Sequence, residues 1–250
     1  MVSSGRNRAS AQGTSGNAAS RDGPSADAAE GRATEGRALS PANRDGLRLA
    51  ELLAARLCHE FSGPAGTLAG AVEIARTEPD SAAEALDIAA KAAASLAARL
   101  RLLRAAWAGA AEAMDLAALR TLCSGLPRYV WADFGGLPAD QQFPAEAAQV
   151  LLNVLLLAAE CLPKGGVVTL GEAEPNTALV VLRGQDAAWP PGLAAWIADP
   201  EPAWRASAAA GPRLLQGPLT ALLAHGAGTR MSFAFAADAE AAPPLLLRFA

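Results

Sequence analysis

Between Leu47 and Trp107 the apolar side chains recur at helical spacing, with one short break at Glu78-Pro79-Asp80. Before the break the pattern runs Leu49, Leu52, Leu53, Leu57, Phe61, Leu68, Val72 and Ile74; such a repeat predicts an amphipathic helix. Ser40-Pro41 offers it a hydroxyl cap and a proline for the first turn. After the break Ser81-Ala-Ala-Glu84 has the form of a capping box, and Leu86, Ile88, Ala89, Leu96, Leu100, Leu103 and Trp107 are expected on the inner face of a second helix. Two helices of roughly 30 and 25 residues with so short a connection make an antiparallel hairpin. One hairpin buries too little apolar surface by itself. Two make a four-helix bundle, so a homodimer is expected, and the alanines of the second helix suit close packing.

Residues 1–42 carry almost no large apolar side chain. They cannot bury enough surface to offset ordering entropy, and are read as a disordered tail. No apolar stretch follows the start as a secretory signal requires. Although 52% of the residues are hydrophobic, many are alanine. The longest apolar run, Val150 to Ala159, is about half of what a bilayer span requires. The net charge of −4 provides no basic footprint for nucleic acid. Cys58, Cys123 and Cys161 sit apart in apolar contexts and are expected to be reduced core thiols of a cytosolic protein. Cys58 and His59 are no metal pair, because helix neighbours point about 100° apart and no other Cys/His cluster exists.

Inside the first helix lies Arg56-Leu57-Cys58-His59-Glu60-Phe61-Ser62-Gly63-Pro64, with one of only two histidines in the chain. A neutral imidazole is a nucleophile near neutral pH, and its phosphorylated form remains reactive enough to pass the group on. The adjacent carboxylate can accept a hydrogen bond, and the proline loosens the helix just downstream. His225, near the end of a later helix, is read as structural.

After about Ala113 the pattern alternates between helices and strands. A short helix is expected over Asp115–Cys123, a strand over Arg128–Phe134, and a buried helix over Pro144–Leu162. Two β-rich runs, Val167–Glu172 and Ala178–Arg183, are joined by the hairpin signal Glu174-Pro-Asn176. A Pro- and Trp-bearing segment follows over Trp189–Trp204, then a helix from Pro212 to His225. Gly228–Phe235 reads as a final strand, and Leu245–Phe249 as an added edge. The expected architecture is an α/β sandwich of one mixed sheet with helices on one face.

The His-Glu-x-x-x-Pro run resembles the phosphoacceptor box of two-component histidine kinases and their phosphotransfer relatives. The second half resembles a degenerate histidine-kinase ATP-binding (Bergerat) domain. Its helix Gln149–Pro163 is similar to the one carrying the asparagine box, with Asn153 at the first asparagine. Leu157 stands where the second asparagine is expected and Glu160 where the lysine is expected. Both changes oppose nucleotide phosphate: one removes an oxygen ligand, the other adds negative charge. Arg183 replaces the adenine-binding aspartate, the glycine pair after it is lost, and Ala187–Pro191 holds no glycine-rich lid. A histidine hairpin followed by such a domain resembles the ChpT-type histidine phosphotransferases of bacterial phosphorelays. Leu53–Pro64 matches their helix-one signature and Arg104-Ala-Ala-Trp107 their helix-two ending, over about residues 45–236.

The resemblance implies a hairpin over 43–111 that dimerises and carries the phosphotransfer histidine, and a degenerate ATPase-like domain over 112–250. It implies that His59 accepts a phosphoryl group from an aspartyl phosphate on the receiver domain of a hybrid kinase, then returns it to aspartates on response regulators. Magnesium comes with the receiver, so the chain itself needs no cofactor. Glu60 would orient the imidazole or help proton transfer, and Arg56 would meet phosphoryl charge or a receiver carboxylate. Leu52, Ala55, Ser62, Gly63, Pro64 and Thr67 would form the docking footprint around His59. Two other readings stand beside this one: an active, ATP-consuming histidine kinase, and a non-enzymatic dimeric scaffold for receiver domains.

Overall fold

The computed structural model describes residues 40–109, 112–235 and 242–250. The tail read over residues 1–42 lies outside them except for its last three positions. Helix α1 runs Pro41–Thr77 and α2 runs Ala82–Trp107. Ser40 Oγ accepts the Asn43 N–H at 3.3 Å, as the capping argument requires. The capping box at Ser81 does not form. A 3-10 turn over Pro79–Ser81 leads straight into α2, so Ser81 already has helical dihedrals and its side chain caps nothing.

Which residues α2 buries also departs from expectation. Ala85, Ala89, Ala98, Leu102, Leu103 and Ala106 are buried, whereas Leu86, Ile88 and Leu100 are exposed, as are Val72 and Ile74 on α1. Near the turn, small residues let the two helices approach closely, and the larger ones are left facing outward.

The rest of the chain runs β1 (Met114–Asp115), α3 (Leu116–Cys123), β2 (Val130–Gly136), β3 (Gln142–Phe143), α4 (Ala145–Glu160), β4 (Gly166–Glu172) and β5 (Thr177–Arg183). It continues through α5 (Leu193–Ala198), α6 (Pro200–Ala209), α7 (Gln216–Gly226), β6 (Arg230–Phe233) and β7 (Leu245–Arg248). Five strands form a mixed sheet in the order β2-β4-β5-β7-β6, parallel only between β2 and β4. Strand β7 is therefore not the edge expected from sequence; it lies between β5 and β6, with Leu245 and Leu247 fully buried. The turn signal before β5 holds: Asn176 has φ 61°, which asparagine tolerates well. The segment Trp189–Trp204 contributes α5 and the first half of α6. Asp199, whose carboxylate accepts the Glu201 N–H at 2.9 Å, caps α6 just before Pro200. That Asp-Pro start was legible in the sequence and was not read.

Alternate residues of the strands (Val168, Leu170, Val180, Leu182, Leu245, Leu247) face a core completed by α4, which is buried along nearly its whole length. Leu102, Leu103 and Ala106 of α2 belong to that same core, so Ser40–Ala250 packs as one compact unit. Among the described residues no helix is long and apolar enough to cross a membrane.

Candidate functional site

His59 is exposed on α1, and among the described residues its ring has no hydrogen-bond partner. The stripe of Leu52, Leu57 and Phe61 turns inward on either side of it. Ser62 Oγ donates to the Cys58 carbonyl at 2.5 Å and Thr67 Oγ1 to the Gly63 carbonyl at 3.2 Å. Both are local back-bonds of the kind that bend a helix. Pro64 lies inside α1 and has no N–H, so the Glu60 carbonyl loses its normal partner one turn on. The backbone is thus loosened next to His59.

Glu60 does not reach the imidazole. Its carboxylate accepts from Arg99 Nε at 3.1 Å and Nη2 at 2.9 Å, with Arg56 Nη2 3.7 Å away. Arg99 was not singled out from the sequence, yet hairpin arithmetic could have found it: Glu60 and Arg99 lie 19 and 20 residues either side of Pro79.

Two footprint assignments are corrected. Arg56 is only 4% exposed: it pairs with Glu160 of α4, donates to the Pro212 carbonyl at 3.1 Å, and stacks over the Trp107 ring at 5.7 Å. Leu52 is 3% exposed, packed under Leu215 and Leu219. Helical spacing puts both on usable sides of α1, but the start of α7 and the end of α4 already cover them. Ala55, Ser62, Gly63 and Thr67 are exposed and Pro64 is half-buried, so this part of the footprint remains an open face around His59.

The helix resembling the asparagine-box helix is turned inward. Asn153 is fully buried, and both ends of its amide are occupied. Nδ2 donates to the carbonyls of Ala106 (2.8 Å) and Gln149 (2.9 Å), while Oδ1 accepts from Trp107 Nε1 (3.1 Å) and Gln216 Nε2 (3.0 Å). Trp107 therefore joins the hairpin to the second domain, one face under Arg56 and its N–H on Asn153. Leu157 is buried and apolar, and Arg183 is exposed at the end of β5. Beside Leu157 and Glu160 lies a cavity of about 800 Å³ bounded largely by apolar side chains, among them Trp189, Trp196 and Pro218. Although its side chain is 34% exposed, desolvation of the carboxyl raises the Glu160 pKa against the pull of Arg56. His225 has a ring nitrogen donating to the Trp196 carbonyl at 2.9 Å, in keeping with a structural role.

Cys58 is exposed, whereas burial pushes the thiols of Cys123 and Cys161 up to about 12. The thiolate is the reactive form. Alkylation at pH 8, read by mass spectrometry, is expected to add one group per native chain at Cys58, and three after denaturation. Fast labelling of Cys161 in the native protein would contradict the packing around α4.

Comparison with known proteins follows this geometry. Residues 117–239 match the family model described as the histidine phosphotransferase C-terminal domain. Among curated proteins, none matches the chain. A solved structure described as "1.7 Angstrom Structure of a Bacterial Phosphotransferase" is similar in fold: TM-score 0.56 and 23% identity over 84% of this chain and 97% of that one. The chain is thus similar to histidine phosphotransferase C-terminal domains over residues 117–239, and its fold along most of its length is similar to that of a solved bacterial phosphotransferase.

Proposed function

We propose that this protein is the histidine phosphotransferase of a phosphorelay, working through phosphohistidine at His59. The observation that carries the reading is an exposed imidazole with no partner among the described residues, set on a hairpin whose neighbouring domain lacks the groups for nucleotide. A ring nitrogen of His59 attacks the phosphorus of an aspartyl phosphate on the receiver domain of a hybrid kinase. The N–P bond forms as the P–O bond to aspartate breaks, and the receiver's carboxylate leaves. The reverse step on a response-regulator receiver completes the relay. Magnesium belongs to the receiver's acidic pocket. Ala55, Ser62, Gly63, Pro64 and Thr67 supply small side chains that let a receiver helix approach closely, a helix-in-groove contact.

The second domain is a degenerate ATPase-like scaffold. Its residues do not fit a magnesium nucleotide: Asn153 is saturated by protein groups, Leu157 offers no oxygen, and Glu160 and Arg183 have the wrong charge for their positions. Its mixed sheet with α4 on one face is in keeping with that reading. The protein acts in the cytoplasm, where receivers are.

The deciding measurement is a phosphotransfer time course. Receiver domains carrying labelled aspartyl phosphate are mixed with the protein, and ATP labelled on its terminal phosphate is tested separately. Acid-labile label is expected from the receiver and none from ATP. Labelling from ATP alone would mean an active kinase; no label from either would leave a scaffold.

The working unit is a homodimer. Val72, Ile74, Leu86, Ile88 and Leu100 are exposed on the hairpin, and Ile74 and Ile88 flank a groove of about 490 Å³ between its helices. Exposed apolar side chains at such a groove are what a second hairpin covers. Light scattering should give twice the 25.4 kDa chain mass, and Ile88→Glu should return it to the monomer value. A wild-type monomer at micromolar concentration would refute the dimer.

A further inference from the structure

Four charged side chains from three helices form one continuous ladder that includes the residue next to His59: Glu160 on α4, Arg56 and Glu60 on α1, and Arg99 on α2. Its two arginines are anchored at both ends. Arg56 is also held by the Pro212 carbonyl and the Trp107 face. Arg99 also donates to the Gly125 carbonyl at 3.4 Å. Gly125 lies so close to α2 that a Cβ there would fall 2.5 Å from the Ala98 carbonyl. Glu60, between the two arginines, is therefore held from both flanks.

The ladder lies where α1 is weakest. Pro64 has removed the hydrogen bond that would restrain the Glu60 carbonyl, one peptide from the phosphoacceptor. A side chain fixed from both flanks supplies a restraint the backbone lacks.

Resting on the function proposed above, we infer that Glu160 is a positioning residue for phosphoryl transfer. Acting through Arg56, and together with Arg99, it holds Glu60 and so fixes the backbone that aims the His59 ring. The same position opposes nucleotide and ties the second domain to the transfer site. Stability alone does not account for the pair. Glu160 stands exposed at the end of α4, and an ion pair open to solvent on one side contributes little to stability.

The test measures the maximal transfer rate and the half-saturating receiver concentration for wild type, Glu160→Gln, Glu60→Gln and the double variant. Glutamine keeps the size of the side chain and an oxygen to accept from Arg56. In the wild-type background Glu160→Gln is expected to slow the maximal rate about tenfold, as misaimed reacting groups do. The half-saturating concentration should stay within about twofold, because Glu160 acts on the transfer site through Arg56 and Glu60. In the Glu60→Gln background the same change should cost less than about twofold, since the ladder is already cut. Equal losses in both backgrounds, or wild-type rates for Glu160→Gln, would overturn the inference. Should Glu160→Gln fail to fold, Arg99→Lys decides. It keeps the charge but loses the fork onto Glu60, and must slow transfer likewise; an unchanged rate overturns the proposal. A wild-type protein that takes no label from any receiver would instead overturn the reading of function, and this inference with it.

Discussion

Replacing His59 with alanine is expected to abolish phosphoryl uptake while leaving the fold intact. The ring is exposed and has no hydrogen-bond partner among the described residues, so its removal costs neither packing nor a paired polar group. Surface changes of this kind shift stability by about 0.5 kcal/mol or less. The chemistry has no substitute. Removing an essential nucleophile costs on the order of 10⁶-fold, which takes labelling below detection. His225→Gln is the matching control. It touches the only other imidazole, bonded to the Trp196 carbonyl, and should retain full labelling at some cost in melting temperature. The pair is read by labelled phosphate on gels and by thermal melts side by side. Label persisting on the His59→Ala protein, or disappearing only from the His225 variant, would place the phosphoacceptor elsewhere.

The largest loss of stability is expected from Asn153→Ala. In a nucleotide-binding domain this asparagine would serve the ligand, and an alanine there would cost binding and little else. Here its amide ties Trp107 and Ala106 of α2 to Gln149 and Gln216 of the second domain, fully buried. Alanine strands the Trp107 N–H and removes the amide's bonds to the Ala106 carbonyl and to Gln216, which keep Gln149 Nε2 and the Asn153 carbonyl and Thr220 Oγ1 as partners. The unpaired N–H costs about 1–3 kcal/mol and the other lost hydrogen bonds about 1 kcal/mol each, so the total is about 4 kcal/mol. For a protein of this size that lowers the melting temperature by roughly 10 °C. Calorimetry checks it directly. A drop of less than about 2 °C would mean that the polar knot between hairpin and second domain does not hold them together.

Much of this molecule was legible before any coordinates. Helical periodicity located both hairpin helices, and turn chemistry at Asn176 and Ser40 set two of the boundaries. Set against the kinase pattern that the second half resembles, Leu157, Glu160 and Arg183 differ in chemical type, and that comparison needed no fold. What spacing could not reveal was which neighbour each side chain meets. Leu52 is two turns before His59 on the same side of α1, a good docking position by azimuth alone. Leu215 and Leu219, more than 160 residues later in the chain, cover it. Glu60 adjoins the imidazole in sequence, but its carboxylate is drawn to Arg99 across the hairpin.

The sequence by itself determined the two helices of the hairpin and the alternation of helices and strands that follows, because periodicity and residue type are local properties. Only the tertiary structure decided that Arg56 belongs to Glu160 rather than to a partner, that β7 lies inside the sheet, and that Leu86 and Ile88 face outward. Those outcomes depend on which distant segments win the limited contact surface around each helix and strand, and no local pattern encodes that competition.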